Sequence, residues 1–454
     1  MTKDIISAVS TPFGKGGIAV VRISGEGSFE LADRMFRPKR GSALAGRRGG
    51  RVVYGDILYE GETIDDGCAV LFRGPNSYTG EDTVEISCHG GILVTSKVYE
   101  STLLCGARPA EAGEFTRRAF LSGRMGLTQA EAVIDLIDAE TEDAMRLAAS
   151  GASGKLGREA AKLRERIIAL LAEAYVLTDY PDEELSDLTA DTLVREIEAI
   201  AAEADRLLAT YKTGHAVTDG IETVICGRPN TGKSSLLNAL LGRDRAIVTS
   251  VAGTTRDTIE ERCNLGRVTL NLCDTAGIHN SDDEVERMGI DRSKKKLSEA
   301  ELALAVFDSS QPLTDDDRDI LCSLDPQKTV IVLNKSDLAP ALSAKDFADF
   351  PRVRLISCEK KDGLDALRTT VEEMFIDGEI DYSRAVLTNA RQHAALSSAR
   401  RYLDAALEAL GSGFGADTAG LDLELAAGAV GELDGISVLT EVVDTIFARF
   451  CVGK

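Results

Sequence analysis

The feature that most restricts this chain is the run TVICGRPNTGKSSLLNALLG, residues 223–242. A short β-rich segment leads into Gly227-Arg-Pro-Asn-Thr-Gly-Lys-Ser, and a helical pattern follows. G-x-x-x-x-G-K-S between a strand and a helix is a phosphate-binding loop. Its glycines let backbone N–H groups wrap phosphate oxygens, Lys233 neutralises them, and the Ser234 hydroxyl suits Mg²⁺. At average residue frequencies the pattern arises by chance in roughly one chain of this size in a hundred, and the strand–loop–helix context lowers that figure. Asn230, Thr231, Gly232, Lys233, Ser234 and Ser235 are therefore nucleotide-site candidates.

Three further signals follow in order. GTTRD (253–257) offers Thr255 as a second hydroxyl for Mg²⁺. VTLNLCDTAG reads as a strand ending at Asp274, a carboxylate that meets Mg²⁺ directly or through one of its ligands, with the Gly277 N–H available to a γ-phosphate. KTVIVLNKSD reads as a strand ending in Asn334, Lys335 and Asp337. A carboxylate at Asp337 can accept both edge N–H groups of guanine, which adenine does not offer, and Lys335 can pack along the base. Ser357 and Cys358, in RLISCEKKDG, add backbone groups for guanine O6. Four such signals, each at a strand end, place the ligand at the carboxyl edge of an α/β sheet. Residues 217–375 resemble Ras-like GTPases, with one departure. The water-orienting glutamine of Ras has no counterpart after DTAG, where Ile278 stands, and Asp282, Asp283, Glu284 and Glu286 are the nearby carboxylates.

Around this segment the texture differs. Residues 1–118 alternate β-rich runs (GIAVVRIS, RVVYGDILY, DGCAVLF, DTVEISC) with turn residues and one helix near 91–105, an α+β pattern. From Thr128 the period is helical, with Thr128 and Glu131 spaced as a capping box, and it is helical again from Arg384. The expected fold is therefore multidomain: an α+β domain (1–118), a helical domain in two parts (119–216 and 381–454), and an α/β domain (217–380) inserted between them.

The net charge of −22 argues against broad non-specific nucleic-acid binding. The densest basic stretch, residues 34–51, reads as a solvated loop. Nine scattered cysteines without a CxxC pair fit a reducing compartment, and four separated histidines offer no metal spacing. No signal-peptide core and no membrane-spanning apolar run stand out, so a soluble cytoplasmic protein is expected. The terminal CVGK lacks the usual last residue of a prenylation signal.

The segments GGIAVVRISG, PNSYTGEDTVEISCHGG, GEFTRRAFLSGRMGLTQAEAVIDLIDA, GRPNTGKSSLLN, AIVTSVAGTTRD, DTAGIHNSDDEVERMGI and CVGK, in that order, resemble the tRNA wobble-uridine modification GTPases, the MnmE or TrmE family. The resemblance runs end to end. It implies a homodimer whose first domain is folate-binding-like, with a tetrahydrofolate derivative near Arg22, Glu81, Arg124 and Lys454. Arg124 departs from the family's usual lysine, which keeps charge but changes geometry. The resemblance implies K⁺ held by Asn230 and by Thr249, Val251 and Thr254. It extends the nucleotide contacts to Ser250, Ala252, Gly253, Thr275, Ala276 and Glu359. Glu286 would orient the attacking water, and Cys451 would bring a thiol near the chemistry as a nucleophile or only a packed residue. The activity implied is GTP-dependent modification at C5 of uridine 34 in certain tRNAs. The implied partner is an FAD-containing protein, MnmG, in a heterotetramer, with no membrane contact. A regulatory GTPase such as a ribosome-assembly factor, or a folate enzyme with a vestigial GTPase, are the competing readings.

Overall fold

The computed structural model describes residues 4–179, 190–242, 261–273, 297, 299–412, 416–436 and 438–453. By contacts the chain divides into two compact units. One comprises Met1–Ile134, Ala152–Arg164 and Gly428–Lys454; the other comprises Asp135–Gly151 and Glu165–Ala427.

The first unit is built on a seven-stranded sheet of order β3-β4-β5-β6-β2-β1-β7. Its strands are β1 (Ile6–Val9), β2 (Ile18–Ser24), β3 (Phe36–Pro38), β4 (Arg51–Tyr59), β5 (Glu62–Phe72), β6 (Thr83–His89) and β7 (Arg108–Pro109). Successive side chains point to opposite faces of a strand. Hence Ala19, Val21 and Ile23 of β2 face one way and stand opposite Cys88, Ile86 and Val84 of β6. Helices Ser28–Met35 and Ile92–Leu104 cover this face, and Phe29, Met35 and Val98 are fully buried there. Arg22 lies on the other face, opposite Glu85.

Helix Thr440–Ala448 joins this unit through Phe447 and Phe450, buried with Leu127 and Ala130. Two expectations change here. The helix beginning near Thr128 starts at Leu127 instead. The Gly126 N–H is taken by Gln129 Oε1, while Thr128 Oγ1 donates to Asp434 Oδ1 at 3.2 Å, a tertiary bond in place of a capping box. The basic stretch 34–51 is not wholly a solvated loop. Met35, Phe36 and Leu44 are buried, Phe36–Pro38 forms a strand, and the Asp33 carboxylate accepts the Leu44 and Ala45 N–H groups.

The second unit holds a six-stranded sheet of order β13-β12-β11-β8-β10-β9. Its strands are β8 (Ile221–Cys226), β9 (Glu261–Leu265), β10 (Val268–Leu272), β11 (Leu302–Asp308), β12 (Thr329–Asn334) and β13 (Val353–Leu355). All neighbours are parallel except β9 and β10, the antiparallel edge pair. Strands β11 and β12 are buried at every position, as central parallel strands covered on both faces must be. Leu302, Leu304 and Val306 pack into one core, with Leu236 and Leu364 of the flanking helices. Ala303, Ala305 and Phe307 pack into the other. The helical part of this unit includes Ala190–Leu208 against Ala390–Gly411, with Leu193, Ile197, Ile200 and Ala204 buried on one and Leu396, Ala399, Leu403 and Ala406 on the other, at helical spacing. The expected combination of α+β, helical and Ras-like α/β parts is present.

Candidate active site

The phosphate loop follows β8. Gly227 has φ +140°, and a Cβ there would fall 2.2 Å from the Val306 carbonyl oxygen of β11. Gly232 has φ +101°, and its Cβ would fall 2.0 Å from Asn334 Nδ2. Both positions therefore admit only glycine. Helix Lys233–Leu241 begins immediately, so the loop opens onto a helix N-terminus, the arrangement that favours an anion. Lys233 Nζ donates to the Gly227 and Arg228 carbonyls at 2.7 and 2.8 Å, which keeps the ammonium on the loop. The buried Thr231 hydroxyl donates to the Arg228 carbonyl at 3.0 Å. Ser234 and Ser235 occupy the first turn of the helix. A hydroxyl beside a phosphate cradle is a hard oxygen donor of the kind Mg²⁺ takes, so the Ser234 position fits that ion.

At the end of β12, the buried Asn334 amide joins two loops. Its Nδ2 donates to the Thr231 carbonyl at 3.0 Å, and its Oδ1 accepts the Cys358 N–H at 3.2 Å. Lys335, at φ +60°, donates from Nζ to the Asn230 carbonyl at 2.9 Å and pairs with Asp308 Oδ2 at 2.6 Å. Burial pushes the Asp308 carboxyl up, but the Lys335 ammonium and the Ser310 hydroxyl and N–H outweigh it and hold it below the usual range. Asp337 accepts the Ser357 hydroxyl at 2.6 Å, a bond that keeps its carboxyl low and ionised. Ser357 is itself fixed by paired backbone bonds with Asp362. Burial pushes the Cys358 thiol up to about 11. Glu359 follows in the same loop.

Asn334 thus bonds to Thr231 and Cys358, Lys335 to Asn230, and Ser357 to Asp337, while Lys233 and Thr231 share the Arg228 carbonyl. Thr249, Ser250, Val251, Ala252, Gly253, Thr254, Thr255, Asp274, Thr275, Ala276, Gly277, Glu286 and Lys454 lie outside the described residues. Sequence reasoning missed three contributors. Asp308 closes β11 and orders Lys335. Arg228 pairs with the buried Asp317 at 2.7 Å, and Asp317 also forms a capping box with Thr314. An acidic residue at a strand's carboxyl end, as in VFDSS, was the available signal for Asp308.

A second constellation lies in the first unit. Arg22 Nε pairs with Glu85 Oε1 at 2.8 Å, and its guanidinium carbon stands 5.4 Å from the ring centres of both Tyr78 and Phe115. Its Nη1 reaches the Gly453 carbonyl at 3.4 Å, which also accepts the Ser10 hydroxyl at 3.1 Å. Val452 bridges to Ala112, so the tail is bound at this edge, beside Arg22. Glu81 accepts the Ser24 hydroxyl at 3.1 Å and pairs with Arg118 at 3.2 Å. Ser24 shares a sheet face with Arg22, which brings Glu81 to the same side. Arg118, also unmarked by the sequence reading, is 8% exposed and pairs with Asp4 and Glu114 as well. Arg124 is exposed, with its Cγ 3.2 Å from where a Gly80 Cβ would lie. Cys451 is exposed, and no described residue makes a hydrogen bond or ion pair to its thiol. No helix among the described residues is long and apolar enough to cross a membrane.

Comparison with known proteins places this geometry. Residues 5–124 match the family model described as GTP-binding protein TrmE N-terminus, and residues 127–451 match the MnmE helical domain. A tRNA modification GTPase MnmE of Symbiobacterium thermophilum is 44% identical over 100% of both chains. Those of Lactobacillus delbrueckii subsp. bulgaricus (42%; 99% of this chain, 98% of the relative) and Clostridioides difficile (39%; 99% of each) are similar throughout.

Proposed function

This chain belongs to the MnmE family of tRNA modification GTPases, and from that premise we propose how its residues divide the work. It hydrolyses GTP in the service of tRNA modification. The observation that carries this reading is the Asn334 amide, which ties the phosphate loop at Thr231 to the guanine loop at Cys358. Phosphates and base are thereby set at one spacing along a single sheet edge.

In this reading the ionised Asp337 accepts two guanine N–H groups, and Lys335 lies along the base. Lys233 leaves the loop carbonyls to meet the β and γ oxygens. Ser234, with Thr255 and the Asp274 carboxylate, would hold Mg²⁺, which screens charge on the phosphates. Asn230, Thr249, Val251 and Thr254 are the proposed K⁺ ligands, a substitute for an arginine finger. Glu286 orients the attacking water. Hydrolysis is coupled to homodimer closure.

The constellation of Arg22, Glu81, Arg124 and Lys454 is proposed to take a tetrahydrofolate derivative. A guanidinium between two rings suits a planar anionic ligand, and Cys451 would bring a thiol beside it. The product is an aminomethyl-type group on C5 of uridine 34, made in the cytoplasm with the FAD-containing MnmG partner in a heterotetramer. The test is nucleoside analysis of tRNA from cells lacking the chain, with and without a Lys233→Ala copy. The modified wobble uridine should vanish, return with the wild-type copy and stay absent with the variant. Unchanged tRNA in the deletion strain overturns the reading.

A further inference from the structure

His215 belongs neither to the nucleotide contacts nor to the folate-side constellation, yet three segments meet at its ring. It sits on helix Tyr211–Thr218, two residues of linker away from β8, whose far end carries the phosphate loop. Its Nε2 lies 3.3 Å from Glu301 Oε2, at the approach to β11, and its Nδ1 lies 3.5 Å from Asp219 Oδ2. Tyr211 stacks on it at 5.1 Å and on His393 of helix Ala390–Gly411 at 4.2 Å. The His215 side chain is 13% exposed.

Glu301 is locked in turn to β8. Its carboxylate accepts the Glu222 N–H at 3.2 Å, and its own N–H donates to the Glu222 carbonyl at 2.9 Å. The Glu222 carboxylate accepts from Asn271 Nδ2 and from Cys273 Sγ, each at 3.0 Å. Cys273 directly precedes Asp274. An unbroken set of contacts therefore runs from the helices to the end of β10.

We propose that His215 is a positioning residue for GTP turnover. Its ring, set between Glu301 and Asp219 and stacked under Tyr211, fixes the helices against β8 and the end of β10. The inference rests on the GTPase reading above.

The charges facing the ring agree. Asp219 and Glu301 face the two ring nitrogens, Glu301 is held low against its burial by His215, Tyr211 and His393 are neutral, and Lys328 lies beyond Glu301, donating to the Ala300 carbonyl. His215 lies in the last turn of its helix, whose C-terminal dipole end is negative. Burial pushes the imidazole down, but the two carboxylates outweigh it and raise it to about 9. The His393 ring is kept low by burial and by the charge on His215.

The experiment uses the full chain. The His215 ring protons are followed by NMR against pH, and GTP kinetics are measured for wild type, His215→Gln and Glu301→Gln. His215 should remain an imidazolium beyond pH 8, and Glu301→Gln should shift its titration toward neutrality. His215→Gln should lower kcat on the order of tenfold, with KM for GTP unchanged. The wild-type decline in kcat near pH 9 should be missing from its profile. A ring that titrates at or below its ordinary value, or a His215→Gln kcat equal to wild type, overturns the proposal. An absence of GTP hydrolysis by the wild type would instead overturn the earlier reading.

Discussion

Lys335 Nζ lies 2.6 Å from Asp308 Oδ2 while it also donates to the Asn230 carbonyl. The lysine expected along the guanine base is therefore aimed by a carboxylate from the neighbouring strand. Asp308→Asn keeps the shape and removes the charge. Hydrogen bonds to charged groups contribute about 1.5–3 kcal/mol, so affinity for GTP and GDP should fall about tenfold or more. Titration with a fluorescent guanine nucleotide measures this, and wild-type affinity would show that Lys335 is held without Asp308.

The Asp337 carboxylate, kept ionised by the Ser357 hydroxyl, is the proposed reader of base identity. Asp337→Asn should weaken GTP and favour xanthosine triphosphate, because an amide presents a donor where guanine also presents one. Competition between the two nucleotides decides it; an unchanged preference for GTP contradicts the base pocket described above.

Monovalent cations should matter to the rate. Replacing K⁺ with Na⁺ at equal ionic strength is expected to depress turnover about tenfold or more, the scale of one electrostatic contact to the transition state. Equal rates in the two salts would take the cation out of the mechanism.

Acid should loosen the first unit through Glu114. Burial raises this carboxyl, but Arg108, the Glu111 N–H and Arg118 outweigh it and leave it below its ordinary value. A group depressed on folding stabilises fully above its unfolded value and loses that contribution as pH falls through the folded one. Melting temperature should thus decline as pH falls below the ordinary glutamate range. Glu114→Gln should cost about 2 kcal/mol at pH 7 and flatten the acid slope. An acid slope identical to wild type would place the sensitivity elsewhere.

What could be read from the chain was local. The phosphate loop, with its strand, glycines and helix, occupies one continuous stretch, and each residue's requirement is set by its neighbours. Asn334 was legible because it ends a strand that reads as buried throughout, and Asp337 because it stands in the turn just past that end. The partners were not legible. Arg228 meets Asp317 across 89 positions, and Thr128 meets Asp434 across 306. No periodicity marks such pairs, and the Thr128 bond displaced a cap that the sequence pattern favours. The buried Leu44 inside a basic loop was hidden likewise, because its burial depends on Asp33 folding the loop back.

The bond from Ser10 to the Gly453 carbonyl spans 443 positions. Closing a flexible loop of that length costs roughly 5 kcal/mol of chain entropy. During synthesis the strands β1 to β6 emerge first and can pair among themselves, whereas Arg22 must wait for a segment made after the whole nucleotide sheet. The Arg22 neighbourhood is thus the last part of the first unit to close, and prior folding of the intervening unit shortens the loop it must close. A mutation that slows folding of the nucleotide sheet would delay assembly of a site with which it shares no residue.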